Sequence, residues 1–96
     1  MKQFIGKKVL VRSAQAGVYF GTLTSVEGES TVIMNSVRNI WSWYGASCLS
    51  QIANDGIKSG KVSPVVETMG ITGVCQVILL ADTAIKNLEG QPVWRY

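Results

Sequence analysis

The sequence predicts a mainly β protein, a β-rich α+β fold with a strongly bent antiparallel sheet or small partial barrel and one or two short helices. Three observations lead to this fold class. Several short runs alternate apolar or β-branched residues with polar ones, the pattern of half-buried strands. Glycine and polar residues separate the runs at hairpin spacing. Apolar residues at helical spacing occur in one short segment, and a capping residue and a terminating glycine mark a second short helix.

The first three predicted strands form an antiparallel meander. They cover residues 8–12, 18–26 and 31–35, and polar, glycine-containing turns connect them. Gly21 lies inside the second strand, where a missing side chain usually marks a sharp bend or the close approach of another backbone. Since a strongly curved sheet or small barrel needs such a residue, Gly21 is the basis for predicting curvature.

The middle of the chain predicts a helix and a basic loop. Residues 37–44 remain unassigned, although strand alternation would place Trp41 and Trp43 on one face. Residues 46–54 carry apolar side chains at helical spacing and precede a glycine, a typical helix end. Residues 57–64 contain two lysines, a glycine and a proline, which predicts a flexible basic loop.

The last third predicts two more strands, a helix and a docked tail. Residues 65–67 form a short strand candidate, and residues 71–80 a long one whose two faces are both largely apolar. A strand of that kind belongs in the middle of a core or in a subunit interface. Residues 82–88 predict a short helix. The tail, residues 92–96, is aromatic, so we expect it to dock against the body or a neighbouring molecule.

Composition predicts a single domain over residues 1–96 that associates with itself. The length leaves no room for two cores. Charged residues make up only 16% of the chain, against roughly 25% in an average domain. No apolar run reaches the roughly 18 residues of a membrane span. The surplus apolar surface therefore predicts a homo-oligomer interface and no membrane contact. The N-terminus lacks an apolar stretch of signal-peptide length, which predicts a cytoplasmic protein.

The residue inventory argues against catalysis and against a metal or other cofactor. The chain has no histidine, which removes the commonest general base and the triads built on it. The acidic residues are scattered, and neither common phosphate-loop signature is present. A carboxylate pair assembled by folding remains open. Cys48 and Cys75 lie far apart without a CxxC pair, so we expect two reduced, buried thiols and no zinc site.

Aromatic and basic residues supply the predicted ligand site. An indole can stack on a base, and an arginine fork matches phosphate geometry. The net charge of +3 permits an anionic partner. The alternative is that the tryptophans are core or interface anchors and the lysines are solvated; the two interpretations are compatible in a pocket at an interface. The predicted ligand-binding residues are Arg12, Arg38, Trp41, Trp43, Tyr44, Lys58 and Lys61.

One run resembles a known group of viral proteins. Residues 41–53 have the pattern W-x-W-Y-G-A-x-x-L-S-Q-x-A, and together with residues 9–12, 16–23 and 92–94 they resemble a family of small proteins of unknown function in tailed bacteriophages and prophages. The resemblance implies a viral setting and a host-cytoplasm location. In that setting we expect a non-catalytic phage accessory protein that counters host defence by sequestering a nucleotide-type signal or by blocking a defence protein.

A second resemblance leads to the alternatives. Residues 17–23, followed by Met34 and Asn35, are similar to the first motif of Sm-like proteins, and residues 71–78 to the second. Sm-like proteins are bent-strand barrels that form rings and bind RNA, although Thr72 replaces the usual arginine here. This implies an Sm-like nucleic-acid-binding module as one alternative. A structural or protein-protein interaction subunit is the other.

Overall fold

The computed structural model describes residues 1–95, and in this part of the chain six strands and two short α-helices form a β-rich fold. The mainly β fold class predicted from the sequence is confirmed, and the sheet is antiparallel and not closed. The strands are β1 (Lys8–Ser13), β2 (Gly17–Glu27), β3 (Thr31–Tyr44), β4 (Ser59–Val62), β5 (Val66–Ile71) and β6 (Val74–Leu79). The helices are α1 (Leu49–Asp55) and α2 (Asp82–Glu89), and a 3-10 turn covers Lys2–Phe4.

The long strand β3 organises the sheet. The strand order is β4-β3-β2-β1-β6, and β5 pairs with the first half of β3 while β4 pairs with its second half. β5 and β6 follow each other in the chain, yet the ladders of the described residues do not join them. Residues of both strands nevertheless share one buried cluster with residues of β1, β2 and β3, so the sheet curls around that cluster as a partial barrel that is not closed.

The bend that curls the sheet lies at Gly21. The register between β2 and β3 shifts between Phe20 and Thr22, and Ser36 on the opposite strand has a positive φ of 53°. A Cβ added at Gly21 would lie 2.9 Å from the carbonyl oxygen of Asn35. The sequence-based expectation of a close backbone approach at Gly21 is thus confirmed.

Two buried clusters lie on opposite sides of the sheet, because side chains alternate along each strand. On β1, Leu10 faces the helices, whereas Val9 and Val11 face the inside of the curl. The helix-side core contains Leu10, Phe20, Ile40, Ile52, Ala53, Ile57, Val62, Leu80, Ala84 and Leu88. The barrel-side core contains Val9, Val11, Leu23, Val32, Met34, Val37, Ile71 and Val74. The helices thus cover one face while the curled sheet covers the other.

Two element predictions are wrong, and one unassigned segment is now placed. The expected flexible loop at residues 57–64 contains β4, whose Val62 is fully buried. The expected single strand at residues 71–80 is two strands, because the chain turns at Gly73 with a positive φ of 66°. Residues 37–44 form the second half of β3.

The tail docks beside β4, as the sequence predicts. Val93 forms a parallel bridge with Val62, and the N–H of Trp94 donates to the carbonyl oxygen of Val62 at 2.9 Å. Tyr96 lies outside the described residues. Of the helices in residues 1–95, none is long and apolar enough to cross a membrane.

Candidate functional site

A groove of ≈ 620 Å³ opens between the β1–β2 turn and the start of α1, and we call it the larger groove. Ligand pockets usually measure about 300 to 1,000 Å³, so its size suits a small molecule. The polar and aromatic residues that line it are Arg12, Ser13, Trp43, Cys48, Ser50 and Gln76. It therefore combines one cationic side chain with one indole and several hydrogen-bonding groups.

The sheet fixes the polar wall of the larger groove. Arg12 on β1 and Gln76 on β6 are partners in the antiparallel ladder, and both are exposed. The hydroxyl of Ser13 donates to the carbonyl oxygen of Thr72 at 2.7 Å and accepts the N–H of Ala16 at 3.0 Å. These bonds join the β1–β2 turn to the β5–β6 turn, so the backbone that carries the wall is held in place.

Trp43 forms the aromatic wall and also borders a second groove. Its ring packs against the helix-side core, and its Nε1–H donates to the carbonyl oxygen of Ala46 at 3.2 Å. The smaller groove, of ≈ 290 Å³, is lined by Trp41 and Trp43 and shares Gly17 and Val18 with the larger groove. The two grooves are therefore adjacent, with Trp43 bordering both.

The side chain of Trp41 points to solvent because β3 bulges there. Opposite β4, Ile40 pairs with Val62 and Ser42 pairs with Lys61, which leaves Trp41 as the extra residue. A bulge of this kind re-aims a side chain. Trp41 is 62% exposed while Trp43 packs against the core. The strand alternation that would place both tryptophans on one face is thus interrupted.

Three side chains beside the smaller groove form what we call the aromatic platform: Trp41, Lys61 and Trp94. The ring centroids of Trp41 and Trp94 are 5.0 Å apart with an interplanar angle of 69°, an edge-to-face arrangement. The Lys61 ammonium lies 4.9 Å from the ring centroid of Trp94 and 5.6 Å from that of Trp41. Both distances fall within the range of cation–π attraction.

Arg38 is the predicted site residue that the fold buries, at 4% exposure. Its Nε donates to the carbonyl oxygen of Ser63 at 2.7 Å, and its Nη1 donates to those of Leu88 at 3.1 Å and Glu89 at 3.4 Å. Burial lowers the pKa of its guanidinium. Nη2 is buried without a hydrogen-bond partner among the described residues. The side chain holds the end of α2 against the sheet.

Tyr44 and Lys58 lie together at the end of β3, where the Lys58 N–H donates to the Tyr44 carbonyl oxygen at 2.8 Å. Tyr44 is 73% exposed and, like Lys58, lines neither groove.

The structure brings four of the seven predicted residues to the grooves and the platform: Arg12, Trp41, Trp43 and Lys61. Three lie elsewhere: Arg38, Tyr44 and Lys58.

The prediction of two buried thiols is wrong, because Cys48 and Cys75 are both exposed. For this reason the sequence analysis missed Cys48 as a residue of the larger groove. Cys48 immediately precedes α1 and lines the larger groove. A hydrogen bond from the backbone N–H of Gln51 lowers the pKa of the Cys48 thiol, and Ser47 contributes less. The Ser47 hydroxyl lies closer to the Gln51 side-chain oxygen, at 2.9 Å, than to the sulfur, at 3.7 Å.

Comparison with known protein families gives a match over most of the chain. Residues 6–88 match the family described as "Domain of unknown function (DUF6948)". The chain belongs to this family. No curated protein matches it. The DUF6948 region contains the residues that line both grooves, whereas Trp94 of the platform follows the matched residues. The family description assigns no activity.

The chemistry of the DUF6948 grooves favours an anion that carries a ring. Arg12 is the only charged side chain among the residues that line the two grooves. A guanidinium without a neighbouring carboxylate is free to pair with phosphate or carboxylate on a ligand. Within residues 1–95, no three His, Cys, Asp or Glu residues come together as metal ligands.

Proposed function

We propose that this protein is a non-catalytic binding protein whose larger groove takes an anionic small ligand of nucleotide type. One observation carries the proposal: Arg12 and the indole of Trp43 border the same groove of ≈ 620 Å³, which no acidic side chain lines. A nucleotide offers a phosphate for the first group and a base for the second.

Each wall of the larger groove has a distinct part in binding. The planar guanidinium of Arg12 donates two parallel hydrogen bonds to a phosphate. Ser50 and Gln76 offer a hydroxyl and an amide for the sugar or the base edge. Trp43 is held by the helix-side core and by its bond to Ala46. An aromatic wall that is already ordered loses little conformational entropy when a ligand binds.

The biological role follows from the same binding. The resemblance of residues 41–53 to phage and prophage proteins favours a phage accessory protein in the host cytoplasm that sequesters a host nucleotide signal and so counters host defence. Sequestration requires a stoichiometric binder and no turnover. This fits a groove that offers neither an imidazole nor a carboxylate from its lining residues.

The partial barrel and the cationic platform favour one second candidate, an Sm-like nucleic-acid-binding module. Phosphate contacts make nucleic-acid affinity fall steeply as salt rises. We therefore expect this candidate to retain single-stranded RNA or DNA in a salt-dependent manner, with weaker retention after Lys61→Gln. A response that is flat with salt contradicts it.

Calorimetry with a panel of cyclic nucleotides and ADP-ribose derivatives tests the leading proposal. We expect binding by the full chain and a loss of affinity of about tenfold or more in Arg12→Gln, since one charged hydrogen bond is worth about 1.5 to 3 kcal/mol. Lys86→Gln removes the same charge from the exposed side of α2 and should bind like the wild type. Absence of both heat and a thermal shift with every compound, or equal affinities of the two variants, would overturn the proposal.

A further inference from the structure

The aromatic platform continues the path of the two grooves. Trp43 borders both grooves, and Trp41 borders the smaller groove as well as belonging to the platform. The surface therefore runs without a break from Arg12, past the two tryptophans of β3, to Lys61. A ligand that fills only the larger groove leaves the far half of this path unused.

The charge on the platform selects the kind of ligand. The Lys61 ammonium already lies over both indole rings, so a cationic ligand would meet a like charge there. Residues 39–44 of β3 contain no acidic residue, and neither do residues 59–62 of β4. A stacked base with a phosphate beside it uses the rings and the ammonium together.

Backbone hydrogen bonds hold the platform in place. Lys61 lies on β4, whose ladder with β3 pairs it with Ser42. Trp94 is fixed by its own N–H bond to Val62 and by the neighbouring bridge of Val93. Trp41 and Lys61 are mounted on the paired strands β3 and β4, which place side chains more precisely than loops do. The platform is therefore suited to recognition rather than to casual surface contact.

We infer that the platform is a second base-stacking subsite and that the ligand carries two bases joined by a phosphodiester linkage. The inference rests on the proposed function, because the first base occupies the larger groove beside Trp43. Trp41 and Trp43 line the same smaller groove, so a ligand with one base at each tryptophan needs only a short linkage between the bases, such as one phosphodiester. Trp94, which sequence reasoning did not place at the site, becomes a ligand-binding residue.

Calorimetry on the full chain tests the inference by comparing ligands with one and two bases. The probes are the four nucleoside monophosphates, the matching linear dinucleotides and the matching cyclic dinucleotides. We expect a dinucleotide to bind about tenfold more tightly than its monophosphate, the effect of one further stacked base. The preference between linear and cyclic forms shows whether the ligand is a nucleic-acid strand or a cyclic dinucleotide, and a gain with either form supports the inference.

Variants separate this inference from the proposed function. Trp41→Ala should remove the dinucleotide gain while leaving the monophosphate affinity unchanged, whereas Arg12→Gln should weaken both. Ile5→Ala shortens an exposed apolar side chain outside the grooves and should keep the gain, and thermal melts should show that each variant is folded.

Three results would overturn the inference. Monophosphates that bind as tightly as dinucleotides, or a gain that survives in Trp41→Ala, would overturn it alone and leave the proposed function standing; either is expected if the platform contacts a protein instead. No binding of any nucleotide would overturn both.

Discussion

Arg38 is a buried basic side chain whose hydrogen bonds stabilise the fold. Its guanidinium donates to carbonyl oxygens of Ser63, Leu88 and Glu89, so a single residue of β3 joins the segment after β4 to the end of α2. A cation at the carboxyl end of a helix also interacts favourably with the helix dipole. Sequence alone offers no means of telling this arginine from the exposed Arg12, because burial is decided by the strand register.

Replacing Arg38 should therefore lower stability. We expect Arg38→Met to reduce the free energy of unfolding by about 2 to 3 kcal/mol, since the carbonyl oxygens lose charged donors in a buried place. Arg12→Met, at an exposed position, should change it by less than about 0.5 kcal/mol. Denaturant unfolding of the two variants measures the difference, and equal losses would contradict the role given to Arg38.

The alkylation rate of Cys48, at the edge of the larger groove, should depend on pH differently in the folded and the unfolded chain. The Gln51 N–H stabilises the thiolate in the folded chain, so the pKa of Cys48 is lower folded than unfolded, and more thiolate is present at a given pH. In a Cys75→Ser background, we expect the alkylation rate to rise at lower pH in the folded protein than in denaturant. Mass spectrometry of timed reactions measures this; coincident pH profiles would show that the hydrogen bond has no effect.

At the scale of elements, the bend of the β2–β3 pair depends on a side chain that is missing at Gly21 of β2. Gly21→Ala would place a methyl group 2.9 Å from the Asn35 carbonyl oxygen, so strands β2 and β3 must separate. We expect a loss of about 1 to 3 kcal/mol, the usual cost of forcing an extra group into a tight space.

Gly70→Ala is the matched control for the bend. An added Cβ there would lie 3.4 Å from the Ile33 side chain, an ordinary contact, and no positive φ is involved. A Gly to Ala change without strain stabilises by about 0.4 to 1 kcal/mol through the unfolded chain. Thermal denaturation of both variants should show opposite shifts, and a Gly21→Ala protein as stable as the wild type would contradict the account of the bend.

The elements that could be predicted from sequence are those with local patterns. Alternation identified β1 and β2, helical spacing identified α1, and the flanking residues Asp82 and Gly90 identified α2. β4 was missed because its lysine and glycine are typical of a loop, and only pairing with β3 makes it a strand. The two strands lie so close that a Cβ at Gly60 would collide with the Ser42 carbonyl oxygen. The turn at Gly73 was missed because the apolar pattern continues on both sides of it.

The sequence also predicted only part of the candidate site. Aromatic and basic composition pointed to Arg12, Trp41, Trp43 and Lys61, which do lie at the grooves or the platform. Trp94 could not be placed at the site, because its position depends on the bridge to β4, which was itself predicted as a loop. Cys48 lies inside the helix predicted for residues 46–54, whereas α1 begins only at Leu49, so its exposed position before the helix could not be predicted.

At the scale of the whole molecule, the opening of the partial barrel leaves two strand edges without partners in the described ladders. β5 pairs only with β3, and β6 pairs only with β1. Val66 on β5 and Leu79 on β6 are both exposed apolar residues. Unpaired edges of this kind invite pairing with another chain. The homo-oligomer expected from composition remains a prediction, and these edges are the surfaces we expect it to use.

Charges on the two edges should prevent that association. We expect the wild type to sediment as an oligomer at micromolar concentration and Val66→Lys with Leu79→Lys to sediment as a monomer, because a buried unpaired lysine opposes strand pairing. Ile5→Lys adds a charge at an exposed position beside β2, which is paired on both sides, and should leave assembly unchanged. A wild type that is monomeric at every concentration would refute this prediction.

We expect a nucleotide-type ligand to lie along the path from Arg12 to the platform, and an NMR titration of the isotope-labelled full chain can locate it. The chain has three tryptophans, so three indole N–H signals report on the path at once. With linear and cyclic dinucleotides as probes, we expect saturable shifts of the indole signals and of the Arg12 and Gly17 amides, with little change on α2. Unchanged indole signals at every dinucleotide concentration, or shifts confined to α2, would contradict the account.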